Sequence, residues 1–155
     1  MEGRGNTLLT PQETALIKAR RVAHLATADA SGVPHLIPIC FAYDGERFYS
    51  VLDQKPKRTS LTRLKRVRNI LSNPNVALVL DHYEEAWSRL WYVLVTGTAQ
   101  LIYPEGQERE EHQRAIGLLG EKYPQYRSMD IAENPMIKIT PVRIVRWGKV
   151  TPSEE

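Results

Sequence analysis

The chain has 155 residues, 42% of them hydrophobic and 25% charged, and its net charge is only +3. This is the size of one domain that hides roughly two thirds of its unfolded surface, and the composition excludes a disordered, collagenous or disulfide-stapled chain. A charge of +3 is too small by itself to argue for a polyanionic partner.

The longest apolar stretches, such as Val76 to Leu80, fall far short of the roughly 20 residues a membrane-spanning helix needs. Met1 to Thr10 lacks the basic start and apolar run of a secretory signal. The single cysteine, Cys40, cannot form an intrachain disulfide, so the expected compartment is the reducing cytoplasm. Charge is unevenly spread. Lys55 to Arg68 holds seven bases (Lys55, Lys57, Arg58, Arg63, Lys65, Arg66 and Arg68) and no acid, whereas Pro104 to His112 carries four glutamates against Arg109. One loop or face should therefore attract anions.

In chain order, Thr10-Pro11-Gln12-Glu13 is a capping box with proline at the first helical position, predicting a helix to about Arg21. Val22 to Ala28 reads as a strand, and Asp29-Ala30-Ser31-Gly32 turns it back into Val33 to Tyr43 as a hairpin. That second strand is apolar on both faces. Its Pro34 and Pro38 share one face and withhold two ladder donors, which predicts an edge or a bulge. Asp44-Gly45 leads into a third strand, Glu46 to Leu52, and then into the basic loop. A helix from Thr59 or Ser60 to about Ser72 carries Leu61, Leu64, Val67, Ile70 and Leu71 on one stripe and bases on the other. Asn75 to Asp81 and Leu90 to Ile102 read as strands, the longer one kinked at Gly97. Pro104 opens an acidic helix that should stop near Gly120, and Met136 to Trp147 gives two short strands broken at Pro141.

Six or seven strands joined as neighbouring hairpins, with three helices, predict a mainly β (α+β) domain whose antiparallel sheet closes into a small barrel. The whole of 1–155 reads as one domain, with an ordered core from about 10 to 147.

The richest segment for chemistry runs from Tyr49 to Thr59, where a strand ends in close-set bases just before a helix. Two ammonium groups, a guanidinium, the hydroxyls of Ser50 and Thr59 and the first helical N–H groups could converge on a phosphate. The competing reading is a solvated basic face. Trp87, Trp91 and Trp147 could sandwich a planar ligand, against the plainer reading as core or subunit-interface residues. No His pair has metal-ligand spacing, and His35 and Cys40, an odd number of residues apart on a strand, fall on opposite faces and make no nucleophilic pair.

Four stretches, Val22 to Ala28, Gly32 to Ile39, Asp53 to Lys57 and Ile139 to Trp147, resemble the pyridoxamine 5'-phosphate oxidase-like split-barrel superfamily. The run from Leu80-Asp81-His82-Tyr83 to Trp87-Ser88-Arg89-Leu90-Trp91 most resembles its coenzyme F420-dependent branch. The resemblance implies a six-stranded split β-barrel that forms a homodimer, with FMN or coenzyme F420 in two clefts at the interface. It implies that Lys55 and Lys57, with Arg58, hold the cofactor phosphate. The flat ring would then lie along Pro38, Ile39, Cys40, Ser50 and Val51, with Trp87, Trp91 and Trp147 reaching the cleft from the partner subunit. The chain lacks the Ser-Arg-Lys phosphate signature and the C-terminal Trp-to-Arg segment of true pyridoxamine phosphate oxidases, so vitamin B6 oxidation is not expected.

The function expected from the sequence is a flavin- or deazaflavin-dependent oxidoreductase acting on a small organic molecule, the ring carrying the hydride. The alternative is an FMN protein of the same fold, or a flavin or haem carrier without turnover. A β-barrel binding single-stranded nucleic acid is disfavoured by the acidic third helix. An obligate dimer with an interface above roughly 2,000 Å² is expected from the excess of apolar surface.

Overall fold

The structure, a computed structural model, describes residues 4–5, 9–53, 61–148 and 150. After the two-residue strand β1 (Arg4–Gly5), α1 (Pro11–Ala19) opens as expected: the Thr10 hydroxyl accepts from the Glu13 N–H at 3.1 Å, and the Glu13 carboxylate accepts from the Thr10 N–H at 2.9 Å. The helix stops two residues before the predicted Arg21, because Arg20 is already extended. Glu13 is buried, and its second oxygen lies 2.5 Å from Nε of the buried Arg146. The same carboxylate that caps the helix thus pins it to the sheet.

The sheet continues with β2 (Ala23–Ala28), β3 (Pro34–Ile39), β4 (Ala42–Tyr43) and β5 (Phe48–Val51). Then come α2 (Lys65–Ser72), β6 (Asn75–His82), β7 (Trp91–Ile102), α3 (Arg109–Lys122), the short α4 (Pro124–Arg127) and β8 (Met136–Gly148). In the hairpin β2–β3, the Asp29 carboxylate accepts from the N–H groups of Ser31 and Val33, and Gly32 takes a φ of +82° that only glycine adopts freely. All pairings are antiparallel and the strand order is β3-β2-β6-β7-β8-β5-β4, with β1 beside β8. The two ends of that order, β3 and β4, are separated in the chain only by Cys40 and Phe41. The sheet must therefore curl until its edges meet, which gives the split barrel. Six strands have four or more residues, as expected, and β1 and β4 add two short ones.

Strand β8 is continuous where two short strands were expected. Its register with β7 slips between Thr96 and Gly97: Thr96 faces Arg143 but Gly97 faces Pro141, leaving Val142 as the extra residue. Val142 is 65% exposed, as a bulge residue should be. Gly97 is required there, since a Cβ would run into the Thr140 carbonyl. The α2 helix also differs from expectation: Thr59 and Ser60 lie outside the described residues, Leu61–Arg63 form a 3₁₀ turn, and the extended Leu64 breaks it from the helix proper. Helix α3 runs past Gly120 to Lys122, and α4, which opens on Pro124, is an element beyond the three expected helices.

Two apolar clusters hold the fold. The barrel interior packs Leu25, Ile39, Phe41, Phe48, Leu78, Val93 and Ile137 against Ile17 of α1 and Val67 and Ile70 of α2. Outside β4 and β5, Tyr49, Val51, Ile102 and Met136 pack under Ala115 and Leu119 of α3 and Tyr126 of α4. Each such side chain, when fully buried, contributes about 1.5–3 kcal/mol. No helix among the described residues is long and apolar enough to cross a membrane.

The opposite face of β3, β2, β6, β7 and β8 carries no helix in either cluster. One row across it reads Pro38, His24, Val79, Leu94, Val145; the next reads Leu36, Ala26, Ala77, Thr96, Arg143; at the end lie Asp81, Tyr92 and Trp147. Leu36 is 65% exposed. Among the described residues, a largely apolar sheet face is left without a second layer.

The bulge predicts opposite outcomes at two glycines. Gly97→Ala is expected to destabilise by about 1–3 kcal/mol through the clash with Thr140. Gly117→Ala in α3, where a Cβ meets open space, is expected to stabilise by about 0.5–1 kcal/mol. Thermal or urea unfolding of the two variants checks both, and equal midpoints would contradict the register described.

Candidate cofactor cleft

The residues expected to line a flat ring come from the end of β3 and the end of β5, and strand alternation sorts them. Ile39 points into the barrel interior, and Ser50, opposite Ile137, is buried on that same side. Pro38 lies on the uncovered outer face and is exposed. Cys40 and Val51 turn the other way and meet in the cluster under α3 and α4. Of the five, Cys40 and Val51 share a packing site, while Ile39 and Ser50 have only backbone to offer an external ligand. β3 is an edge of the sheet, as its two prolines predict, so one side of its backbone is unpaired within the ladder.

Lys55, Lys57 and Arg58 lie outside the described residues. The chain approaches them through a well-anchored stretch: Leu52 donates its N–H to the Pro135 carbonyl and accepts from the Asn134 side chain, and the Tyr126 hydroxyl donates to Asp53 at 2.5 Å. Burial, then the hydrogen bond to Asp53 and its charge, push the Tyr126 hydroxyl well above its ordinary pKa. Arg66, half-buried, carries its charge beside both: burial lowers its pKa, and Asp53 and Tyr126 partly offset that. Its Nε is buried with no hydrogen-bond partner among the described residues. A desolvated guanidinium with an unused donor suits an anion, so the residues present fit a cofactor phosphate at this end of β5. By spacing Arg66 falls on the solvent stripe of its helix; burial sets it apart from the exposed Arg63, Lys65 and Arg68.

Of the three tryptophans, Trp91 and Trp147 border one groove and Trp87 stands apart from it. Trp91 faces the barrel interior and is buried, with the Arg20 guanidinium 5.4 Å from its ring centre. Trp147 lies on the outer face, stacked on Tyr92 at 5.6 Å and 18°. Trp87 stands 70% exposed in the turn between β6 and β7. An apolar groove of about 390 Å³ runs along Val79, His82, Tyr83, Leu94 and Trp147, and the His82 ring is paired with Glu84 at 2.6 Å. From β3 to β8 is four steps across the sheet, roughly 19 Å at about 4.8 Å per strand. Counted along the sheet, Pro38 and Trp147 of one subunit therefore lie well apart. Among the described residues no three His, Cys, Asp or Glu side chains come together as a metal site would need.

Behind Cys40 lies a second polar group that spacing did not reveal. The Tyr123 hydroxyl donates to the Arg21 carbonyl at 2.8 Å and accepts from the Phe41 N–H at 3.1 Å. Burial raises its pKa to about 12. Lys122 donates to the Phe41 carbonyl at 3.0 Å, and burial, with the nearby Arg21, lowers its pKa to about 8.

A curled antiparallel sheet of this order, closing at β3 and β4, defines a split-barrel protein. The profile of the pyridoxamine 5'-phosphate oxidase family matches residues 9–148, and the chain belongs to that family. A 5a,11a-dehydrotetracycline/5a,11a-dehydrooxytetracycline reductase of Streptomyces rimosus subsp. rimosus is 29% identical over 140 residues, covering 90% of this chain and 82% of that protein. Among solved structures, a conserved hypothetical protein of Mycobacterium tuberculosis has a TM-score of 0.71 at 20% identity, over 100% of this chain and 96% of its own. The haem storage protein HutZ of Vibrio cholerae scores 0.65 at 17% identity (91% and 97% covered), and an F420 reductase 0.60 at 21% (88% and 98%). These structural likenesses show a shared fold.

The half-buried amine and phenol give the folded state a definite pH signature. Lys122 titrates near 8 folded and near 10.5 unfolded, so between those values the unfolded chain binds more protons and stability rises with pH. Tyr123, shifted upward from 10, acts in the reverse sense above pH 10. The stability of the wild type relative to Lys122→Met is therefore expected to rise from pH 8 to 10, as read by urea unfolding. A flat or falling difference would contradict the burial of this amine.

Proposed function

We propose that the protein is an oxidoreductase that passes a hydride between a bound deazaflavin, coenzyme F420, and a small organic substrate, with FMN as the alternative cofactor. The reductase activity is supported by the Streptomyces relative, whose likeness spans 90% of this chain. The observation that carries the cofactor assignment is Arg66, a half-buried guanidinium with an unused donor beside Asp53. Lys55 and Lys57 follow Asp53 by two and four residues, and they are assigned to the phosphate together with Arg58.

When bound, the cofactor supplies the ring that carries the hydride; the chain binds, orients and keeps water out. The unpaired edge of β3 presents backbone groups to the rim of the ring, and the half-buried Cys40 borders it at the seam, while Val51 is buried under α3 and α4 and backs that wall. Two copies of the chain pack on the uncovered face of β3, β2, β6, β7 and β8, which hides Leu36, Pro38, Leu94 and Val145 from water. Through that contact the stacked Tyr92–Trp147 pair and Trp87 of the second subunit reach the ring that the first subunit's basic segment anchors. Coenzyme F420 is favoured over FMN because its tail carries extra carboxylates. Arg63, Lys65 and Arg68 are exposed along the 3₁₀ turn and α2, close to Arg66, giving more positive charge than one phosphate uses.

In titrations of the purified protein, Lys55→Ala with Lys57→Ala is expected to weaken cofactor binding at least about tenfold, since charge-assisted contacts contribute on the order of 1.5–3 kcal/mol each. Coenzyme F420 is expected to bind more tightly than FMN at low ionic strength, the gap narrowing as salt screens the tail. Equal or tighter FMN binding at every salt concentration would make this an FMN protein, and unchanged affinity in the folded double variant would remove the phosphate assignment.

A further inference from the structure

A cavity of about 720 Å³ opens between α1, the turn after β4 and α3, lined among others by Lys18, Tyr43, Arg114, Leu118 and Lys122. Lys122, the last residue of α3, is half-buried. Its Nζ donates to the Phe41 carbonyl at 3.0 Å and lies 3.7 Å from the centre of the Phe41 ring, and it forms no ion pair among the described residues. Behind it are Arg21, whose guanidinium donates to the Lys122 carbonyl, together with the Cys40 thiol and the Tyr123 ring. Across the cavity stand Lys18, Arg47 and Arg114 against Asp44, Glu46 and Glu121. Two of those carboxylates are engaged: Asp44 accepts the turn N–H groups of Glu46 and Arg47 at 2.8 and 2.7 Å, and Glu46 pairs with Arg47 at 3.1 Å.

We propose that Lys122 is a nucleophilic amine site, which condenses reversibly with the carbonyl of a small anionic aldehyde or keto acid drawn into this cavity. The neutral amine adds to the carbonyl carbon to form a C–N bond. The carbonyl oxygen then departs as water with the two amine protons, leaving an imine, and nothing is oxidised or reduced. Lys18 and Arg114 meet the ligand's anionic group. Burial in this setting lowers the amine's pKa to about 8, so more of it is neutral near pH 7.5 than of an ordinary lysine.

Glyoxylate is the probe, with cyanoborohydride to trap the imine on the full-length protein at pH 7.5. Peptide mapping by mass spectrometry reads the carboxymethyl group at each lysine. Lys122 is expected to be labelled at least about tenfold faster than any other lysine, at a rate that rises toward a plateau above about pH 8. The preference is expected to shrink when uncharged acetaldehyde replaces glyoxylate. Lys122→Arg, checked by thermal melting to be folded, is expected to lose the fast phase alone. Labelling of Lys122 no faster than the other lysines would overturn the site, and an equal preference with acetaldehyde would overturn its selectivity for anions.

Discussion

At Val142 the strand β8 carries one residue more than its partner β7, and because side chains alternate along a strand this insertion exchanges the faces of β8 at mid-length. Before the bulge Ile137 and Ile139 point into the barrel; beyond it Ile144 and Arg146 do. Without the extra residue one half of β8 would turn its apolar side chains outward. Arg146, on which α1 is anchored through Glu13, would lose its place, or Met136 would leave the cluster under α3 and α4. Gly97 makes the slip possible by letting the Thr140 carbonyl come close, and Pro141, with no N–H to give to the ladder, sits where regular pairing is interrupted.

The curl that follows from this ladder sets the terms for the cleft. It closes the sheet edges at Cys40 and Phe41 and brings Cys40 beside Val51, with Asp53, Tyr126 and Arg66 gathered where the basic segment departs. It also places the Tyr92–Trp147 pair on the far side of the uncovered face, roughly four strands from β3. In the dimer proposed above, a phosphate anchor and an aromatic wall would come from different subunits, and the same contact would cover the apolar rows of the outer face.

Much of the fold was legible because its signals are local. Thr10 and Glu13 announce α1 by their own side chains, Asp29 and Gly32 announce the hairpin, and two prolines mark β3 as an edge. The continuity of β8 was hidden because proline ordinarily ends a strand, and only the parity of Ile137, Ile139, Ile144 and Arg146 on the two sides of Pro141 betrays a bulge instead. The 3₁₀ turn before α2 was hidden for the converse reason: Leu61 and Leu64 fit the helical stripe, although Leu64 is extended. At the site, strand alternation already separates Ile39 from Cys40 and Ser50 from Val51. The grouping of Lys122, Tyr123, Tyr126 and Arg66 depends on contacts between segments 60 or more residues apart, which no short-range pattern encodes.

Mixed dimers test the composite cleft most directly. One subunit would carry Lys55→Ala and Lys57→Ala with Trp147 intact; the other would carry Trp147→Ala with both lysines intact. If the basic segment of one chain and the aromatic pair of the other share a ring, each mixed dimer regains one undamaged cleft, and titration should find one cofactor bound per dimer with wild-type affinity. If each chain builds its cleft alone, every site in the mixture stays damaged; failure to recover any tight binding would contradict the account.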